Sequence, residues 1–174
     1  MRKSIRHTIK IALAVICIGF LRSSVPYAQA ANTQENRDYK YAAGLYAEGM
    51  YDMAIKELDR FIAAYPQSLQ MTNARFLVAG SHFYQKRFEK TIELTRRIQK
   101  ESPSSPIMDA VIFLEGRAFF QLGRYKEAIS SFNGMLSRFP KSEHIAEALY
   151  NVAESHYNLK NMKQAAEIDR KSVV

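Results

Sequence analysis

Three prolines constrain this chain more than any other feature. Pro66, Pro103 and Pro140 follow one another at an interval of 37 residues, and two positions after each stands a serine, Ser68, Ser105 and Ser142. The same interval superposes residues 49–55 on 86–92, 123–129 and 160–166, and it aligns the small residues Ala42, Ala79, Gly116 and Ala153. A chain built from copies of one short unit cannot hide its apolar surface within a single copy. Neighbouring copies must stack, so the architecture is quasi-one-dimensional.

Each unit reads as two helices. Residues 107–122 carry an apolar stripe of Val111, Ile112, Phe113, Phe119 and Phe120. Ser105 is expected as the N-cap, its hydroxyl accepting from an orphan backbone N–H, and Pro106 suits the first turn. Gly123 then breaks the chain. A second helix from Tyr125 shows Ala128, Ile129, Phe132, Met135 and Leu136 at i, i+3/i+4, i+7 spacing. It ends at Phe139, because Pro140 disfavours helix at the residue before it. The spacing predicts helices over 35–48, 51–65, 70–85, 88–101, 107–122, 125–138 and 143–159, with a stub from 162. Ala42, Ala79, Gly116 and Ala153 are expected at close helix crossings, and Tyr51, Phe88, Tyr125 and Met162 are expected to open each second helix. Only seven Gly and five Pro among 174 residues leave little room for a turn-rich β fold. The fold class is all-α: an α-solenoid of about three and a half hairpins over 35–168, in units 35–71, 72–108, 109–145 and a truncated 146–168.

With Gly116, Gly123, Tyr125, Ala128, Phe132 and Pro140 in these places, the unit resembles the tetratricopeptide repeat. The period exceeds that family's usual length of about 34 by three residues, which are expected to lengthen the turn after each proline. Thr91 and Thr95 replace apolar residues in the second unit, and Lys86 and Lys160 replace the turn glycine, so looser packing is expected there. Tyr65-Pro66-Gln67-Ser68, Phe139-Pro140-Lys141-Ser142 and Ala148-Leu149-Tyr150 are similar to exported bacterial envelope repeat proteins. These are of the type of the barrel-assembly outer-membrane lipoprotein and the Tol-Pal-associated periplasmic coordinator. The resemblance implies first helices lining a concave side, and protein binding without catalysis.

The N-terminus points to export. Arg2, Lys3, Arg6 and Lys10 precede an eleven-residue apolar run, 11–21, and Ala28-Gln29-Ala30 supplies small residues for cleavage. That run is about half of what a membrane span needs. Residues 1–30 are therefore expected to be a signal peptide, 31–34 a short linker, and the mature protein periplasmic. Cys17, the only cysteine, follows Ile16 and so lacks the small residue a lipid-attachment site requires. The formal net charge of +8 is concentrated at this end: Arg2, Lys3, Arg6, Lys10 and Arg22 stand among the first thirty residues without an acid. The remainder shows no footprint for nucleic acid. At the other end, Asp169-Arg170-Lys171-Ser172-Val173-Val174 breaks off inside a helical pattern. Its codons can match a sequencing-adapter end, so 169–174 is expected to be a non-native tail on a truncated chain prone to self-association.

Two columns are aromatic in every unit: Tyr39, Phe76, Phe113, Tyr150 and Tyr46, Phe83, Phe120, Tyr157. The members of a pair lie seven apart and share a helix face. They are either inter-repeat packing or, with Asn36, Asn73, Arg117, Gln121, Glu154 and Asn158 beside them, a face for an extended peptide. The terminal tyrosines are expected to be more exposed than the phenylalanines, since a buried phenol needs a polar partner. His82 and His156 share a column two units apart, too far to hold one metal. Residues 86–101 are expected to form a solvated basic convex face, with Glu93 and Arg97 paired at i, i+4. No nucleophile–base, phosphate-loop or metalloprotease motif occurs, so neither catalysis nor a cofactor is expected. The expected function is a non-catalytic scaffold for protein–protein interaction in the envelope. The alternatives are a recruiting N-terminal part of a longer enzyme or secretion component, and a spacer without ligand.

Overall fold

The structure, a computed structural model, describes residues 25–172, with side chains over 34–168. Among the described residues eight helices follow one another: α1 (Val25–Ala47), α2 (Tyr51–Ala64), α3 (Met71–Tyr84), α4 (Phe88–Glu101), α5 (Met108–Gln121), α6 (Tyr125–Arg138), α7 (Ile145–Asn158) and α8 (Met162–Ser172). They pair as four hairpins, and no strand occurs among the described residues. The expected cleavage point and the stretch 31–34, read as a linker, both fall within α1, which begins ten residues ahead of the expected start. The apolar run 11–21 lies outside the described residues.

Two turns, repeated, build the stack. Within each hairpin the chain reverses through one residue in the left-handed region: Gly49 (φ 76°), Lys86 (φ 60°), Gly123 (φ 69°) and Lys160 (φ 60°). The following N–H reaches back five residues, as from Met50 to the Leu45 carbonyl at 2.9 Å and from Arg124 to Phe119 at 2.9 Å. The turn residue itself bonds three back, Gly123 to Phe120 at 2.9 Å. This pairing satisfies helix-end carbonyls otherwise left unbonded.

Between hairpins, the residue before each of Pro66, Pro103 and Pro140 has left the helical conformation, with ψ between 54° and 65°, and its N–H caps the helix it leaves: Tyr65 to Phe61, Ser102 to Ile98, Phe139 to Met135. The serine two residues after the proline does not cap the next helix. Its Oγ accepts from the N–H two positions on, at 3.0 Å from Gln70, 3.5 Å from Ile107 and 3.2 Å from His144. Its carbonyl takes the N–H three on. Ser105 therefore closes a turn ahead of α5, which starts at Met108, and Pro106 lies in that turn rather than in the helix. A hydroxyl that can bond nearby backbone serves either place, and the extra turn moves it upstream.

Every helix packs on its successor. First helices also touch the first helix of the adjoining hairpin, α1 with α3, α3 with α5 and α5 with α7, whereas no two second helices meet among the described residues. Closer spacing on one side curves the stack, so the first helices line the inner side. Gly116 permits one tight crossing, for a Cβ there would stand 2.7 Å from the Phe132 ring. Ala42 and Ala79 are fully buried at the equivalent places. Ala153 is only half-buried.

The core divides in two. One cluster joins the first hairpin to α3 through Leu45, Leu58, Phe61 and Val78. The other runs from Phe83 through Met108, Phe119 and Phe132 to Val152. Ser81, Thr91 and Thr95 lie fully buried where they part. Thr95 donates to the Thr91 carbonyl at 3.0 Å and Thr91 to the Arg87 carbonyl at 3.2 Å. Each hydroxyl is thus satisfied by its own helix, which removes most of the cost of burying it. The expected looser packing is not seen at these threonines: both are fully buried, in a seam that is polar.

Candidate functional site

The inner side presents the two aromatic columns, and tertiary packing treats their members differently. Phe83 and Phe113 are buried, at 7% and 5% exposure, and so are unavailable as a contact surface. Phe76 and Phe120 are half-buried on the larger core. Phe120 meets Tyr125 with ring centroids 5.5 Å apart, and Phe83 meets Phe88 at 5.4 Å. Here the aromatic that opens each second helix closes its hairpin against the first. Tyr39 leans on Phe61 at 5.5 Å. Tyr150 and Tyr157, by contrast, are 60% and 62% exposed. The contrast of terminal tyrosines with central phenylalanines therefore holds for α7 and only weakly for α1.

Tyr46 belongs to a trio that the columns did not reveal. Its ring stands edge-on to Tyr51 (5.8 Å) and Tyr84 (6.0 Å), which stack at 5.0 Å and 8°. Gly80 admits it: a Cβ there would come within 2.7 Å of the Tyr46 hydroxyl. Burial, reinforced by the neighbouring Tyr84 and Tyr51 hydroxyls, pushes the Tyr46 phenol up to about 12, with Arg117 acting in the opposite sense. The Tyr46 phenol is therefore held in its neutral form.

Arg117 places a guanidinium on the face. Its charged carbon lies 4.8 Å from the Phe83 ring centre and 5.8 Å from that of Phe113, and its Nε is 3.8 Å from a Glu147 oxygen. The remaining polar candidates divide. Asn73 donates to Gln70 at 2.8 Å, and Asn158 donates to the Glu154 backbone at 2.8 Å, so their amides serve their own segment. Asn36 and Gln121 are exposed, and Glu154 is half-buried. Glu147, on the face with Tyr150 and Tyr157, was not singled out in the sequence, although its spacing of three from Tyr150 carried the signal.

The convex side of α4 is knit by ion pairs in a different register from that expected. Glu93 bonds Lys90, at 2.8 Å, and Arg97 bonds Glu101, also at 2.8 Å, so the Glu93–Arg97 pair does not form. Arg75 reaches the same Glu101 from α3. Buried Glu115 is held by Arg96 and Gln99, each at 3.0 Å. Nδ1 of His82 and Oε1 of Gln85 are buried without a hydrogen-bond partner. Among the described residues, no group of three or more His, Cys, Asp or Glu is placed to hold a metal, and no helix is long and apolar enough to cross a membrane.

A family model described as anaphase-promoting complex, cyclosome, subunit 3 matches residues 48–135, and one described as tetratricopeptide repeat matches 113–173. The chain belongs to the tetratricopeptide-repeat family. Among solved structures it is similar to the apo form of RapI, at 18% identity and a TM-score of 0.72, covering 79% of this chain and 54% of RapI. A MamA protein aligns at 14% identity and 0.68, over 83% of this chain and 74% of that one. The TPR-like repeats of a Podosopora anserina putative kinesin light chain align at 15% and 0.65, over 80% and 74%. At such identities the likeness concerns the fold. No curated protein matches the sequence. Tetratricopeptide repeats generally mediate protein–protein interaction and are typically non-catalytic scaffolds.

Proposed function

We propose that this tetratricopeptide-repeat chain is an exported, non-catalytic scaffold of a bacterial cell envelope that holds a segment of another envelope protein against its inner side. The carrying observation is the pair of exposed tyrosines on α7, Tyr150 and Tyr157, on the side where first helices face one another. Tyrosine offers a large contact area for little rotamer entropy, and its hydroxyl can bond a peptide backbone. Export is supported by the basic start, the short apolar run 11–21 and Ala28-Gln29-Ala30.

Two measurements test the reading. Residues 1–40 fused to a reporter that is active only outside the cytoplasm should give activity, and deleting 11–21 should abolish it. A photoreactive amino acid at Tyr150 or Tyr157 should capture a discrete partner, whereas one at Lys126 on the far side should not. A cytoplasmic product, or equal capture from both sides, overturns the proposal.

A further inference from the structure

On α7 the residues 147, 150, 154 and 157 follow at intervals of three, four and three, which places them along one face of the helix, and residue 143 stands in the turn just before it. They are Glu143, Glu147, Tyr150, Glu154 and Tyr157, a stripe of carboxylates interleaved with phenols. Its lower half opens into a pocket of about 360 Å³ between α7 and α8. Tyr150, Ala153, Glu154 and Tyr157 form one wall, with Met162 and Ala165 opposite. Arg117 lies 3.8 Å from Glu147, and the His144 ring 3.9 Å from Glu143. Glu154 is half-buried, and its carboxylate has neither an ion pair nor a side-chain hydrogen bond among the described residues.

The molecule holds its own example of what such a setting receives. In the equivalent column the preceding hairpin has Arg117, whose guanidinium rests against Phe83 and Phe113, one from each aromatic column, with the Glu147 carboxylate beside it. In the last hairpin Glu154 takes the place of Arg117, so the pocket holds a carboxylate with the rings of Tyr150 and Tyr157 and has no Lys or Arg among its lining residues. A half-buried carboxylate is costly without a counter-charge, and aromatic faces attract a cation through their quadrupole.

We propose that this pocket takes a basic side chain, lysine or arginine, from the segment the scaffold binds, so that the partner segment is cationic. The inference rests on the scaffold reading above. The alkyl stem lies between Ala153 on one wall and Ala165 and Met162 on the other, and the charged head meets Glu154 and the two rings. Glu147 and Glu143 continue the attraction toward the start of α7.

The test uses labelled eight-residue peptides that differ only in carrying three lysines, three glutamates or three glutamines, with binding to the purified protein read by fluorescence anisotropy. The lysine peptide should bind best and weaken as salt rises. Glu154→Gln should weaken it about tenfold, Tyr157→Ala by a similar factor, and Tyr157→Phe little, as expected for a charge pair and an aromatic contact. Circular dichroism verifies that each variant is folded. Equal binding of the three peptides, unchanged affinity in Glu154→Gln, or a dimer in sedimentation that protects the pocket overturns the inference. Capture of a partner segment devoid of Lys and Arg at Tyr150 also overturns it while leaving the scaffold reading standing; absence of capture from any inner-side position removes the scaffold reading itself.

Discussion

Gly116 and Phe132 meet so closely that the hydrogen on the glycine is all that fits: a Cβ would lie 2.7 Å from the ring, and Phe132 is fully buried. A buried ring has nowhere to move, so adding a methyl overpacks the third hairpin. Gly116→Ala should lower stability by about 1–2 kcal/mol despite the gain in helix propensity, read as a lower urea midpoint. Phe132→Leu in the same chain should recover part of it. Gly134, also within α6, has nothing within 4 Å of its missing Cβ. There Gly134→Ala should stabilise by about 0.5–1 kcal/mol.

Lys86 and Lys160 hold the turn position that Gly49 and Gly123 hold elsewhere, with φ of 60°. A residue with a Cβ is strained in that region by about 1–2 kcal/mol. Part of that is returned on substitution, because glycine loses more chain entropy on folding. Lys86→Gly should raise Tm by about 2–4 °C, and Gly123→Lys should lower it by a similar amount. Thermal unfolding followed at 222 nm decides between this and no change.

Arg96 and Glu115 tie α4 to α5, the arginine 61% exposed and the glutamate 9%. Removing the arginine strands a buried carboxylate, whereas removing both leaves an apolar site like those of Val78 and Val152 in the same column. Arg96→Ala should destabilise by about 1 kcal/mol, a modest loss because solvent screens one partner and Gln99 still binds the other. Arg96→Ala/Glu115→Val should be no less stable than the parent. Chemical denaturation of the four members of the cycle measures the coupling.

His82 stands where the neighbouring units have Leu45 and Phe119. Burial first, then the nearby Arg87 and Lys90, hold its imidazole below the ordinary range, against the smaller opposite pull of Asp59 and Glu93. The unfolded chain therefore binds the proton more readily than the folded one. Stability is complete above the unfolded pKa of about 6.5 and declines as pH falls below it. Tm should drop between pH 7 and pH 5, and the drop should be smaller in His82→Phe. Parallel pH profiles for parent and variant would show that the decline arises elsewhere.

The helical register was legible because the punctuation is local. Pro66, Pro103 and Pro140 stop each second helix by steric exclusion, and the turns at 49, 86, 123 and 160 recur whether or not glycine occupies them. The expected limits of α4 and α6 accordingly coincide with the observed ones. Features that depend on choosing among equivalent local partners were not legible. Ser105 could bond the start of α5 or the turn before it, and Glu93 could pair with Arg97 or with Lys90. Each choice is settled by small differences in backbone path. Of the candidate face, the columns could be read from spacing, but the Tyr46–Tyr51–Tyr84 trio and the place of Arg117 over Phe83 join residues from different hairpins.

Taken alone, the sequence determined the period, the turns, the helices and the need to stack, because each follows from backbone sterics and the spacing of apolar residues along one segment. Tertiary structure decided which members of a column remain in contact with solvent. Tyr46 and Tyr157 occupy the same position in their units, yet Gly80 and Tyr84 cover the first while the second lies open. The physical reason is that burial in a stack is conferred by the adjoining hairpin, not by the residues on either side in the chain.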